Sequence, residues 1–476
     1  MLYVLPFSLL ALNFVSVWAA PMCSLRAVSD TASSSSAAAP VPTVSTTPSS
    51  GASSGSSSSS SSSSGSNDDL ELVATTWYAG WHSQYLPVGS VSWEKYTSVT
   101  YAFALTTPDS STISLNSDDE ALLPQFVQAA HNAGTKAMLT IGGWTGSQYF
   151  STAVGSAENR TAFVNAVMGL VSQYNLDGVD FDWEYPGKQG IGCNVVTDQD
   201  SPNFLSFLQE LRGQASNITL SAATSIVPFA GAGGQPLANV SAFAGVLDYV
   251  AIMNYDIWGT WSDAVGPNSP LNDTCAPSAD QQGSAVSAVA AWTGAGFPAN
   301  QLVLGVAGYG HSFFVSQDAA FTADASSASS TIVAQPAGTT AIAAYPAFLN
   351  KTDPLGDDWD VYSPATTDQC GNPVPAGGSG IWNFGGMIER GVLNQNGTAA
   401  PGFGFRFDDC SQTPYLYIAE NLTMISYDDT TSFAAKGKFI LEAGLRGFAM
   451  WEAASDYQDM LLDAISDAIG TEEVGC

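Results

Sequence analysis

Basic residues are scarce: the 476-residue chain carries 12 Lys plus Arg against 43 Asp plus Glu, a formal net charge of −31. A surface of that sign repels phosphate backbones and anionic lipid headgroups, which excludes nucleic-acid binding and stable membrane association. Histidine is rarer still. His82, His131 and His311 stand far apart, and the six cysteines (Cys23, Cys193, Cys275, Cys370, Cys410 and Cys476) contain no CxxC pair, so neither a metal site nor a cofactor is expected. The C-terminus has no hydrophobic tail for a lipid anchor. What the composition does supply is aromatic surface: 12 Trp, 17 Tyr and 23 Phe offer flat apolar faces on which a neutral or cationic partner can stack. With 45% hydrophobic residues the chain is a folded globular protein.

Residues 1–19 read as a signal peptide, an apolar stretch ending in Val17-Trp18-Ala19, the small-x-small pattern of cleavage before Ala20. It has no Lys or Arg at its start, and a signal anchor is the alternative reading. Sequons at Asn159, Asn217, Asn239, Asn272, Asn350, Asn396 and Asn421 favour export, as does an even number of cysteines, so a secreted, extracellular protein is expected. Residues 20–71 form a Ser-rich linker: between Asp30 and Asn67 the composition collapses to Ser, Ala, Pro, Thr and Gly, with unbroken serine from Ser56 to Ser64. Such a stretch cannot bury enough apolar surface to fold.

From residue 72 to residue 470 short β-branched and aromatic runs alternate with longer amphipathic ones, the pattern of repeated βα units. Eight strands are expected, starting near Thr76, Ser98, Lys136, Asp177, Ile218, Leu247, Leu302 and Leu445. Helical patterns lie between several of them, at Glu120–Asn132, Asn159–Gln173, Asn203–Gln214, Gln281–Thr293 and Ser432–Ala443. Eight strands with helical crossovers imply an α/β fold of the (β/α)₈ TIM-barrel type. The gap between the seventh and eighth strands is far longer than any other. A small α+β insertion domain at 314–421 accounts for it better than one long loop. The whole is expected to act as a monomer.

The informative segment is LDGVDFDWEYPG, Leu176 to Gly187. Asp180, Asp182 and Glu184 occupy alternate positions of a strand and point one way, while Val179, Phe181 and Trp183 point the other. In a parallel barrel the outer face packs on helices and is apolar, so the acids face the axis, with Glu184 at the carboxyl end where active sites sit. Asp180 and Asp182 stand about 6.6 Å apart on strand geometry, so repulsion makes them share a proton and raises the pKa of Glu184 beyond them. A carboxylic acid still protonated near neutrality is what protonates a leaving oxygen. The alternatives are a calcium site or core acids satisfied by hydrogen bonds.

This segment resembles the DGxDxDWE signature of glycoside hydrolase family 18, the chitinase family. Other strands resemble it too: TIGGW (Thr140 to Trp144), MNYD (Met253 to Asp256), LVLGVAGYGHSF (Leu302 to Phe313) and FAMWE (Phe448 to Glu452). The loop sequences look most like those of fungal members. Thr140 stands where the family usually has Ser, and His311 where it usually has Arg, which puts a cationic substrate contact at that position in doubt. The resemblance implies a chitinase that cleaves β-1,4-linked N-acetylglucosamine in chitin and chitooligosaccharides with retention, the substrate's own acetamide acting as nucleophile. Glu184 would be the acid and later the base, Asp182 would hold the acetamide N–H, and Asp180 would share its proton. Tyr255 would donate to the acetamide oxygen and Trp451 would floor the cleavage site. Tyr78, Phe103, Trp144, Tyr185, Met253 and Asp256 would line the same pocket, with core packing the alternative for Tyr78 and Phe103. Asp177, His82 and His131 read as structural residues. A chitin-binding lectin and an endo-N-acetylglucosaminidase are the alternatives on the same fold. Disulfides Cys193–Cys275 and Cys370–Cys410 are expected, and the insertion is expected to wall one side of the groove.

Overall fold

The computed structural model describes residues 71–321, 335–349 and 355–473, and a short strand at Leu25–Ala27. The expected leader, nearly all of the serine-rich stretch, Cys23, Cys476 and Asn350 lie outside the described residues.

Eight parallel strands close into a barrel: β1 (Val73–Ala79), β2 (Ser98–Thr106), β3 (Lys136–Gly142), β4 (Gly178–Asp182), β5 (Thr219–Thr224), β6 (Tyr249–Ile252), β7 (Leu302–Ala307) and β8 (Gly447–Trp451). Each pairs with its sequence neighbour, and β8 returns to β1 to complete the ring. Around it pack α1 (Ser117–Ala133), α2 (Ala157–Tyr174), α3 (Asp200–Gln214), α4 (Ala285–Gly294), α5 (Thr430–Glu442) and α6 (Met460–Ile469). Local chemistry sets their ends. Asn116 caps α1 by accepting from Asp118 and Asp119 N–H, and Gly134 stops it with φ 78°. Among the described residues no helix is long and apolar enough to cross a membrane.

The alternation expected for β4 is what the strand does. Phe181 packs on Phe204 and Phe207 of α3, and Trp183 on Phe150 and Phe204, so the outer face is buried against helices. Fully burying one such ring contributes about 1.5–3 kcal/mol. The barrel interior is filled differently, by Val73, Ala102, Ala223, Ala251, Val303 and Ala449 around Trp77 and Tyr249. Those small residues leave room for carboxylates on the axis.

Between β7 and β8 the chain builds a six-stranded sheet in the order Thr340–Ala341, Gly404–Asp408, Thr413–Ile418, Thr423–Ser426, Tyr309–Phe314, Ile381–Asn383. Short helices Gln317–Ala320 and Phe384–Glu389 accompany it. The sheet starts at Tyr309 and ends at Ser426, a few residues wider on each side than 314–421.

The expected disulfide pairing is wrong. Cys193 bonds Cys370, and Cys275 bonds Cys410. The expectation kept one bond within the barrel loops and one within the insertion. In the fold each bond instead pins the insertion to a barrel loop, because the inserted segments fold back onto the loops after β4 and β6 and bring distant cysteines into contact.

Candidate active site

Asp180, Asp182 and Glu184 all point to the barrel axis and are 3%, 5% and 9% exposed. Asp180 is richly served: Ser221 Oγ donates to its Oδ1 at 2.6 Å, and Thr140 Oγ1 and Trp77 Nε1 donate to its Oδ2 at 3.0 and 3.4 Å. Trp77 Nε1 also donates to Thr140 Oγ1 at 3.1 Å. Burial pushes the Asp180 carboxyl up, and these donors pull it back. Asp182 has no such help. Its Oδ1 is buried without a hydrogen-bond partner, and burial with the charges of Glu184 and Asp180 holds its pKa well above the usual range. Burial thus raises both carboxyls, and Asp182 the further, because it lacks the donors that serve Asp180.

Glu184 ends the stripe. Burial, with the charge of Asp256, pushes its pKa up to about 7, partly offset by the Tyr185 hydroxyl. Its backbone is fixed from two sides: its N–H donates to Ser147 Oγ at 2.9 Å and its carbonyl accepts from Asn194 Nδ2 at 2.7 Å. Gly142, which closes β3 beside it with φ 116°, has no alternative residue: a Cβ there would meet Asp182 O at 2.0 Å. The first glycine of TIGGW thus serves close strand approach.

Across the groove Asp256 Oδ1 receives the Tyr309 hydroxyl and His311 Nε2, each at 2.7 Å. Enclosure pushes Asp256 up, but the His311 hydrogen bond and charge and the Tyr309 hydroxyl outweigh it and leave the carboxyl below its usual range. Tyr255 is buried beside Asp182, Asp256 and Glu184, and that burial and those charges raise its pKa far enough to keep it a proton donor.

Above these groups opens a groove of about 1010 Å³ whose lining includes Glu184, Tyr185, Asp256, Trp144 and Trp451. Trp451 lies on Phe103, with ring centroids 5.5 Å and planes 19° apart, and against Trp77. Three indoles stand open at its sides: Trp81, Trp144 and Trp261 are 52%, 49% and 59% exposed. Large apolar rings left in water around a buried acid suit a ligand with flat faces.

Residues 74–456 match the profile of Glycosyl hydrolases family 18. The chain belongs to that family. Among its relatives a chitinase-like effector of Moniliophthora roreri is 50% identical over 398 residues, 84% of this chain and 93% of its own. Chitinase A1 of Niallia circulans is 28% identical over 353 residues, 71% of this chain and 43% of that protein. A solved chitinase structure from Rhizomucor miehei superposes with a TM-score of 0.71 at 31% identity, covering 83% of this chain and 99% of its own.

Against this family 18 frame most expected site residues meet at the groove. Met253 packs between the interior and Tyr255, and Phe103 supports Trp451 from below. Tyr78 is the exception. It lies outside the barrel against Phe126 and Tyr101, its hydroxyl donating to Leu86 O at 2.9 Å, and Trp77 takes the inward place. β1 puts Val73, Thr75 and Trp77 on one face and Ala74, Thr76 and Tyr78 on the other, so its two faces show no polarity contrast from which the inward parity could be read. His82, expected to be structural, lines the groove and holds Glu452 at 2.9 Å. Trp81, in the 3-10 turn Gly80–His82 after β1, and Trp261 and Trp359, on loops, line the groove as well, and no periodicity marks them in the sequence. Asp177 and His131 are structural as expected: Asp177 Oδ2 contacts His131 Nε2 at 2.7 Å and accepts from Ala137 N–H at 2.8 Å, at the opposite end of the barrel.

Proposed function

We propose that this chain is a secreted chitinase, hydrolysing β-1,4-linked N-acetylglucosamine in chitin and its oligosaccharides with retention at the anomeric carbon. The observation that carries the reading is Glu184: a buried acid with a pKa of about 7, aimed into a groove walled by indoles. With about half of it still protonated at neutral pH, it delivers its proton to the glycosidic oxygen, a step worth roughly 10²–10⁴ in rate.

Retention needs a nucleophile on the other face, and neither neighbouring carboxyl is free to act. Burial and the neighbouring acids favour the neutral form of Asp182, and Asp256 is tied to Tyr309 and His311. The substrate's acetamide oxygen takes the role, attacking the anomeric carbon to give an oxazolinium and expelling the leaving sugar, which gains the Glu184 proton. The unpartnered Asp182 Oδ1 suits the acetamide N–H, and the Tyr255 hydroxyl suits the acetamide oxygen. Glu184, now ionised, draws a proton from water as that water opens the ring.

Export rests on the apolar leader and the sequons. A second reading, chitin binding without turnover, is favoured by the name of the 50% identical relative, a chitinase-like effector. Purified full chain incubated with chitin hexamer separates them. Release of shorter oligomers, abolished in Glu184→Gln while hexamer affinity stays within about threefold, supports hydrolysis. Binding without products in the wild type supports the second reading.

A further inference from the structure

Two neighbouring loops grip the backbone of Glu184. Ser147 Oγ, after β3, accepts its N–H at 2.9 Å, and Asn194 Nδ2, after β4, donates to its carbonyl at 2.7 Å. The loops are also bound to each other: Val195 N–H donates to Gln148 O at 3.0 Å, and Gln148 Nε2 donates to Cys193 Sγ at 3.3 Å. Gln189 holds Asn194 itself, its Nε2 donating to Asn194 O at 2.9 Å and its Oε1 accepting from Asn194 N–H at 3.1 Å. The preceding residue, Cys193, is bonded to Cys370 of the insertion. Asn194 is thus buried and fixed on every side.

Two observations set its side chain apart. Asn194 Oδ1 is buried without a hydrogen-bond partner among the described residues. An unpaired buried acceptor lowers stability, and leucine, of nearly the same shape, carries none. What asparagine offers here that leucine does not is the bond to Glu184. The second observation is Gly190. A Cβ there would meet Glu184 O at 2.0 Å and Asn194 Nδ2 at 3.2 Å, so the missing side chain clears the space in which this bond forms. The carbonyl so held belongs to the peptide joining Glu184 to Tyr185. One bond therefore orients two groups, the acid and the tyrosine whose hydroxyl hydrogen-bonds it.

We propose that Asn194 is a positioning residue of this site, fixing through the Glu184–Tyr185 peptide where the acid's carboxyl lies in the groove. The inference rests on the reading of Glu184 as the acid given above. A carboxyl displaced by about 1 Å from the oxygen it protonates loses on the order of a hundredfold in rate, while sugar rings stack on the indoles as before. Loss of the Asn194 bond thus acts on turnover and leaves binding alone. It also loosens the Tyr185 contact, which holds the Glu184 pKa down against burial.

The test uses the full chain. Asn194→Leu exchanges one unpaired acceptor, Oδ1, for another, Glu184 O, so the thermal midpoint should stay within about 3 °C of wild type. On chitin hexamer kcat should fall at least about tenfold with KM within about twofold, and the basic limb of kcat/KM should move up by about half a pH unit or more. The other ionisable groups that face Glu184, namely Asp182, Tyr255, Asp256 and Tyr309, are left in place by the substitution. Gly190→Ala, which keeps Asn194 but crowds its bond, should behave alike, and decides alone should the leucine variant not fold. Unchanged kcat and pH profile overturn the proposal, whether or not the variant melts lower. The Glu184 carboxyl is also titrated without substrate, by ¹³C NMR of glutamate-labelled protein with its signal assigned by loss in Glu184→Gln; a higher pKa in the variants is expected, and equal values overturn the proposal. If the wild type cleaves no hexamer, the hydrolytic reading fails, and this titration still decides whether Asn194 positions Glu184.

Discussion

Burial and the charge of Asp256 raise the pKa of Glu184, and both causes have measurable signs. If the acid must be protonated, kcat/KM falls as pH rises through about 7. Removing the Asp256 charge by Asp256→Asn takes away one reason for the raised pKa, so the basic limb of the profile should move to lower pH. A limb that stays in place would show that burial alone sets it. Stability carries the second sign. The unfolded glutamate titrates near 4.3 and the folded one near 7, so the folded state binds the extra proton between those values. The folded state therefore loses stability as pH rises from about 4 to 7 and loses no more beyond. Glu184→Gln should be more stable than wild type at pH 8, by up to about 4 kcal/mol, and show no such gain at pH 4. Denaturant unfolding at the two pH values measures it.

At the scale of an element, β1 separates two adjacent aromatics that composition cannot tell apart. Trp77→Phe removes the N–H that serves both Thr140 and Asp180, and should lower kcat about tenfold or more with KM little changed, because the charge on Asp180 loses a buried donor. Tyr78→Phe deletes only the hydrogen bond to Leu86 O and should cost about 1 kcal/mol of stability with kcat unchanged. Steady-state kinetics beside thermal melts distinguish the two. β4 shows the contrary case. Its acids alternate with Val179, Phe181 and Trp183, and that contrast made its inward face legible before any coordinates.

For the whole molecule, the chemistry predicted is that of the acetamide and not of the sugar ring. Cellulose oligomers and fully deacetylated chitosan present the same flat faces to Trp81, Trp144 and Trp261 and should bind, yet release no shorter products. Glucose or cellobiose in the digest would point to an enzyme carboxylate as nucleophile. The insertion's attachment is separately testable. The Cys275–Cys410 bond closes 135 residues of chain, and in the chain-entropy account its removal costs about 5 kcal/mol, read as a lower midpoint in urea.

The sequence by itself determined the barrel, the strand order and the acid stripe. Each of these is written in local periodicity or in a motif of adjacent residues, and hydrophobic burial enforces that pattern wherever the two faces of a strand differ. Tertiary structure decided the rest. Trp77 is inside and Tyr78 outside because a strand whose two faces are alike in polarity takes its parity from its neighbours in the ring. Trp81, Trp261 and Trp359 reach one groove only because loops from separate strands and part of the insertion converge on it. The cysteines pair across the barrel and not within their own segments, since a disulfide records which loops touch, and contact between loops far apart in sequence is a property of the closed fold.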